Sequence, residues 1–236
     1  MEALPPPPSP APAQVALAAR VDAAGPAEAL RLIDPHTDDP ALGARRGRAL
    51  LQLGRHDEAA DTYWRVLKAH RDVADPYLGL AWTYLDQGQF GMAHQPLEQG
   101  LAIAPGYEPG WRELGRSYYW LKRYGKAVDA LDHALKLDRK DPQAWLYKGL
   151  SLGMDHHLSQ AVTALTEAAA LDPAGALPRR MRGRYLLELK HPAEAEVALK
   201  AAYKLDPTDE ETRQLLLKAL WAQGKQWEAL GLWWNR

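Results

Sequence analysis

Apolar and small residues recur along this chain at helical rather than strand spacing. Between Glu108 and Asp141, Trp111, Leu114, Gly115 and Tyr118 fall on one helical face. Lys122 and Arg123 interrupt the run, and Ala127, Leu131 and Ala134 begin a second face. The pattern predicts a helix, a tight turn and an antiparallel helix. It returns at one constant interval, without an insertion, at Ala59, Ala93, Ala127, Ala161, Ala195 and Ala229. In the first helix of each unit the matching column holds Gly47, Ala81, Gly115, Gly149, Gly183 and Leu217. One turn after the alanines stand Tyr63, Leu97, Leu131, Leu165, Leu199 and Trp233. Pro105, Pro173 and Pro207 close units, where a proline ends one helix and can open the next. Gly115 and Ala127 are expected where two backbones approach closely. A bulky side chain at either should cost about 1–3 kcal/mol by overpacking.

Composition agrees with helices and removes several function classes. Ala and Leu supply 40 and 37 of the 236 residues, whereas Ile, Val and Thr supply 16 together. That ratio disfavours a large sheet, because strands prefer β-branched side chains. The absence of cysteine excludes disulfides and thiolate chemistry. A net charge of −1 argues against a surface that coats nucleic acid or acidic membranes. No uncharged apolar run approaches the ~18 residues of a membrane span. The start, MEALPPPPSPAP, lacks the basic and apolar segments of a signal peptide, so a cytoplasmic location is expected.

The residues Trp111, Leu114, Gly115, Tyr118, Ala127 and Leu131 form a W-x2-L-G-x2-Y…A-x3-L pattern that resembles the tetratricopeptide repeat. The resemblance covers residues 40–236, in units 40–73, 74–107, 108–141, 142–175, 176–209 and a truncated 210–236. It implies an all-α fold, a right-handed α-solenoid of stacked antiparallel helix pairs. The aromatic column departs from the family at Gly43, Arg179 and Arg213. The leucine column departs at Arg46, Lys148 and Arg182, whose stems should be buried with their charges reaching water. Residues 14–39 read as a degenerate capping helical hairpin, and 1–13 as a disordered proline-rich tail. Pro96 lies inside an expected second helix and predicts a kink or a late start there.

In this family the first helix of each pair lines a concave groove. The family's groove positions carry over here to Arg48, Trp82, Arg112, Arg116, Tyr119, Trp120, Arg180, Arg184, Lys218 and Trp221, with acids at Asp75, Asp86, Glu188 and Glu211. Arginine beside exposed aromatics is hot-spot chemistry for a partner segment. The expected partner is a protein or peptide with acidic and apolar groups, and the expected function a non-catalytic scaffold or adaptor without cofactors. The Lys/Asn pair by which one family subtype holds a peptide's terminal carboxylate is missing.

Two other readings rest on particular residues. Arg179, Arg180, Arg182 and Arg184, with Arg45, Arg46 and Arg48, could meet phosphates, which gives an RNA-binding alternative. Trp221, Trp227, Trp233 and Trp234 crowd the C-terminal end. Trp221 and Trp227 are expected to fold back into the last helix pair, whereas Trp233 and Trp234 are candidates for a homodimer interface. His133, Asp155, His156 and His157 do not have the helical spacing of a metal pair and read as surface residues. No nucleophile elbow, P-loop, zinc helix or dinucleotide fingerprint is present.

Overall fold

The structure, a computed structural model, describes the backbone of residues 12–234 and the side chains of 15–232. The described backbone is helical, with fourteen helices and no strand. The described residues form two compact units, the first ending at Pro105 and the second starting at Gly106. The first unit holds α1 (Pro12–Ala23), α2 (Pro26–Leu32), α3 (Pro40–Gln52), α4 (His56–Ala69), α5 (Ala74–Asp86) and α6 (Phe90–Ile103). The second holds α7 (Glu108–Trp120), α8 (Tyr124–Leu137), α9 (Pro142–Met154), α10 (Leu158–Leu171), α11 (Ala176–Glu188), α12 (Pro192–Leu205), α13 (Glu210–Ala222) and α14 (Gln226–Trp234).

Within each unit, helices pair as hairpins and hairpins stack on the next. In the first, α3 packs on α4 and α5 on α6, while α5 also meets α3 and α4. In the second, α7–α8, α9–α10, α11–α12 and α13–α14 repeat that arrangement. The small-residue column explains why the hairpins close. A Cβ on Gly115 would stand 2.4 Å from Leu131 Cγ, and one on Gly149 would stand 2.6 Å from Leu165 Cγ. Leu131, Leu165 and Leu199 are fully buried beneath these glycines. In the first unit the buried Tyr63 replaces leucine, and its ring is held between Gly47 and Gly79.

Each hairpin from α3–α4 onward turns on one residue with left-handed backbone, Gly54, Gly88, Lys122, His156, Lys190 and Gly224, at the same place in every repeat. The hydrogen bonds recur as well. Lys122 N donates to Tyr119 O at 2.9 Å and Arg123 N to Tyr118 O at 2.8 Å. This is a Schellman end, which satisfies the last carbonyls of the first helix.

Pro96 does not delay its helix, since α6 begins in register with α4 and α8. The ring is buried and its missing N–H leaves the Met92 carbonyl without a helical donor. Substituted columns keep their contacts by new means. Trp145 Nε1 donates to Arg139 O at 2.9 Å; in the next hairpin Arg179 takes over, donating to the carbonyls of Ala169, Asp172 and Gly175. Lys148 reaches Asp132 at 2.5 Å with its ammonium over Trp145. Of the proline-rich segment, residues 1–11 lie outside the described residues, and Pro12 opens α1.

Candidate partner-binding face

The expected groove residues sit on the first helix of each hairpin. Arg48 is exposed on α3 and Trp82 half-buried on α5, both in the first unit. Arg112, Arg116, Tyr119 and Trp120 follow one another along α7; Arg180 and Arg184 lie on α11, and Lys218 and Trp221 on α13.

The second unit engages its arginines internally. Asp141 caps α9 with one carboxylate oxygen, accepting from Gln143 N at 2.8 Å and Ala144 N at 3.2 Å. Its other oxygen accepts from Arg112 at 3.0 Å. The same device recurs two hairpins further along. Asp209 caps α13 through Glu211 N and accepts Arg180 at 2.6 Å. Each arginine thus joins the first helix of one hairpin to the first turn of the next. Arg112 also meets Glu113 and Glu108, Arg116 meets Glu113 at 3.1 Å, and Arg184 pairs with Glu211. Sequence reasoning missed Glu108, Glu113, Asp141 and Asp209. The signal available was the equal offset, 29 positions, from Arg112 to Asp141 and from Arg180 to Asp209.

Partial burial gives these acids unlike proton affinities. Burial and a hydrogen bond to Asp141 push the Glu108 carboxyl up to about 7, against the pull of Arg112. Asp141 feels the same burial, but the bonds from Arg112, Glu108 and Ala144 N outweigh it and hold its pKa below the usual value. A protonated Glu108 can therefore donate to an ionised Asp141.

Aromatic side chains extend the network along the face. Tyr119 lies edge-on to Trp120 at 5.4 Å and to Tyr147 at 5.7 Å, with Tyr124 at 6.0 Å. Tyr147 and Tyr119 are half-buried, which raises both phenol pKa values, whereas Trp120 is 54% exposed. Tyr185 from α11 inserts against Gly153 of α9, with its hydroxyl buried and its pKa pushed up to about 12 by burial. The face therefore offers flat apolar area at Trp120, supported beneath by tyrosines and held by charge-paired arginines.

The expected self-packing of Trp221 and Trp227 is not found. Trp227 is 87% exposed and Trp221 51% exposed. The short α14 packs instead through Ala229 and Leu232, and that turns Trp227 outward. The side chains of Trp233 and Trp234 lie outside the described residues.

Five of the seven arginines considered for phosphate, Arg45, Arg46, Arg179, Arg180 and Arg184, are engaged by protein groups, whereas Arg48 is exposed and Arg182 Nε makes no hydrogen bond. Arg45 pairs with Asp22 at 2.7 Å, Arg46 donates to the carbonyls of Leu30 and Ile33, and Arg179 caps three carbonyls as above. Asp155 and His157 meet each other at 3.4 Å across the turn made by His156. Among the described residues no group of histidine and carboxylate side chains could hold a metal ion. No described helix is long and apolar enough to cross a membrane.

Comparison with known proteins places this geometry. The solved structure of YrrB, described as a TPR protein with an unusual peptide-binding site, superposes with a TM-score of 0.71 at 18% identity, covering 80% of this chain and 96% of that one. The crystal structure of MamA gives 0.65 at 22% identity, over 68% and 94%. At these identities the likeness shows the fold. In sequence, the CTR9 homolog of Arabidopsis thaliana is 29% identical over 119 residues, which are 50% of this chain and 11% of that protein. The family model of the cilia and flagella-associated protein 70 C-terminal domain matches residues 11–232. With nearly every described residue inside that match, and the repeat register intact across it, the chain belongs to this tetratricopeptide repeat family.

Proposed function

We propose that this chain is a non-catalytic interaction scaffold that holds a partner protein's segment against the first-helix face of its second unit. The observation that carries the reading is the exposed Trp120 ring on a bed of Tyr119 and Tyr147. Large, rigid aromatics give contact area at little entropic cost, and they dominate binding energy where they occur. The neighbouring arginines act mainly by holding the hairpins in register. Arg112, Arg116, Arg180 and Arg184 each meet a carboxylate of the chain itself. The partner's apolar group therefore supplies more affinity than its acidic groups, which compete with existing pairs. A stacked helical surface of this kind is preformed, so binding should change helicity little.

The test is affinity capture from the source cell's lysate with wild type, Trp120→Ala and Trp120→Phe, with circular dichroism on each. The reading expects a protein partner held by wild type and the Phe variant and lost by the Ala variant, at equal helicity. Equal capture by all three would refute it.

A further inference from the structure

A second surface lies in the first unit, on the side formed by second helices. There α4, α5 and α6 enclose a groove of about 610 Å³. Its apolar end is made by Trp64, Tyr84 and Met92, with Trp64 Nε1 donating to Tyr84 Oη at 3.2 Å. Trp64 is 52% and Met92 56% exposed. Its other end carries Lys68 and Arg71, and no acid lines it. Neither cation makes an ion pair among the described residues. Gln95 and Gln99, one turn apart on α6, lie between the ends.

The repeat register supplies an internal comparison. At the position of Trp64 the second to fifth units carry Glu98, Asp132, Thr166 and Lys200, and the sixth repeats the tryptophan as Trp234. At that of Met92 the other units carry Glu58, Lys126, Gln160, Glu194 and Glu228. Apolar residues thus occupy one position that is polar in four of the other five units and one that is polar in all five, on the two helices flanking one groove. The equivalent site two units on measures about 310 Å³, and there Asp132 replaces Trp64 and takes Lys148 as its ion partner. More than half of each side chain lies open in the groove, where burial in the fold does not use it.

We propose that this groove docks an extended segment of a partner protein bearing an apolar side chain and, two or three residues along, a carboxylate. Charge complementarity selects the carboxylate, since the groove offers two unpaired cations and no acid. The helical rise from Trp64 to Lys68 and Arg71 separates the two ends by about 6–10 Å. An extended chain advances about 3.3 Å per residue, which sets the spacing. The Gln95 and Gln99 amides can both donate and accept, as the backbone of an extended segment requires.

The test uses three fluorescein-labelled octapeptides of Gly and Ser: one with Leu three residues before Glu, one with that Leu replaced by Ser, and one with that Glu replaced by Lys. Fluorescence anisotropy with the full chain should show the first binding at least tenfold tighter than the other two. Trp64→Thr with Met92→Gln, the residues of the fourth unit, should weaken it at least tenfold. Lys68→Glu with Arg71→Glu should invert the preference, so that the Lys probe binds best, a gain that misfolding cannot produce. Equal binding of the three probes by wild type, or an unchanged order after charge reversal, overturns the proposal. So does a tenfold tightening on deletion of residues 1–11, which would make this chain's own segment the occupant. Self-association of wild type that the Trp64/Met92 variant abolishes would make it a second copy, with the same consequence.

Discussion

The six left-handed turn residues make a quantitative prediction, because three are glycine and three are not. Lys122, His156 and Lys190 hold φ of 58°, 61° and 63°, and Gly54, Gly88 and Gly224 hold 70°, 69° and 73°. An L-residue in this region costs roughly 1–2 kcal/mol, since Cβ crowds the following carbonyl. Glycine relieves that cost but returns about 0.5–1 kcal/mol through the greater freedom of its unfolded chain. Replacing each of the three by glycine should therefore stabilise its hairpin by about 0.5–1 kcal/mol. A Cβ on Gly54, Gly88 or Gly224 would meet nothing within 4 Å, so Gly→Ala there reports the backbone alone. Those alanine variants should lose stability by a similar amount. The turns lie in separate hairpins, so Lys122→Gly, His156→Gly and Lys190→Gly should add. Urea unfolding followed by circular dichroism gives the shift in midpoint, and hydrogen exchange assigns the gain to α7–α8, α9–α10 and α11–α12. A triple variant with a midpoint at or below wild type, at unchanged denaturant slope, would refute the reasoning.

Other outcomes follow from particular contacts. Gly79→Ala places a Cβ 2.2 Å from the Tyr63 ring and should cost about 1–3 kcal/mol in urea unfolding; Gly79→Ala with Tyr63→Leu should recover part of it. Arg112→Ala leaves the buried Asp141 and Glu113 short of a partner and should cost about 1–3 kcal/mol, whereas the exposed Arg48→Ala should change stability by under about 0.5 kcal/mol. Glu108 keeps its proton up to about pH 7 in the native chain and loses it near 4.5 when unfolded, so its contribution to stability falls as pH rises through that window. Glu108→Gln should flatten that fall in thermal melts taken from pH 4 to 8. Hydrogen bonds from Lys200 and Lys225 hold Glu196 down to about 2, so its contribution is present above 4.5 and lost toward pH 2. Glu196→Gln should remove that acid-side loss.

The fold was legible because its causes are local and periodic. A glycine facing a leucine one helix over can be counted along the chain, and Gly115 over Leu131 repeats at Gly149 and Gly183. The turn column was half hidden, since lysine and histidine do not announce left-handed backbone as glycine does. The positions of the aromatics and arginines on the proposed face were legible, and the arginines' partners within the chain were not. The family's groove positions show Arg112 and Arg180 but not the aspartates that end the same repeats, cap the next hairpin's first helix and neutralise them. Trp227 was misplaced because the length of α14 and its use of Ala229 decide which way that ring turns. Met92 could have been found as the one break in an otherwise polar column, and Trp64 as one of two breaks, with Trp234, in another.

The arginine-to-cap bonds recur at alternate hairpins, joining α7 to α9 and α11 to α13, while Leu146 and Gly175 occupy the intervening positions. Each pair is nevertheless complete within one repeat, Arg112 with Asp141 in 108–141 and Arg180 with Asp209 in 176–209, so duplication or excision of a whole repeat carries arginine and cap together. A chain shortened by residues 142–175 would bring Asp141 to the start of α11 and keep it opposite Arg112, whereas a cut one residue earlier would set Arg112 opposite Gly175 and leave it only the carboxylates of its own helix. Recombination of such repeats, by nature or by design, is therefore expected to favour breaks just after the capping aspartate.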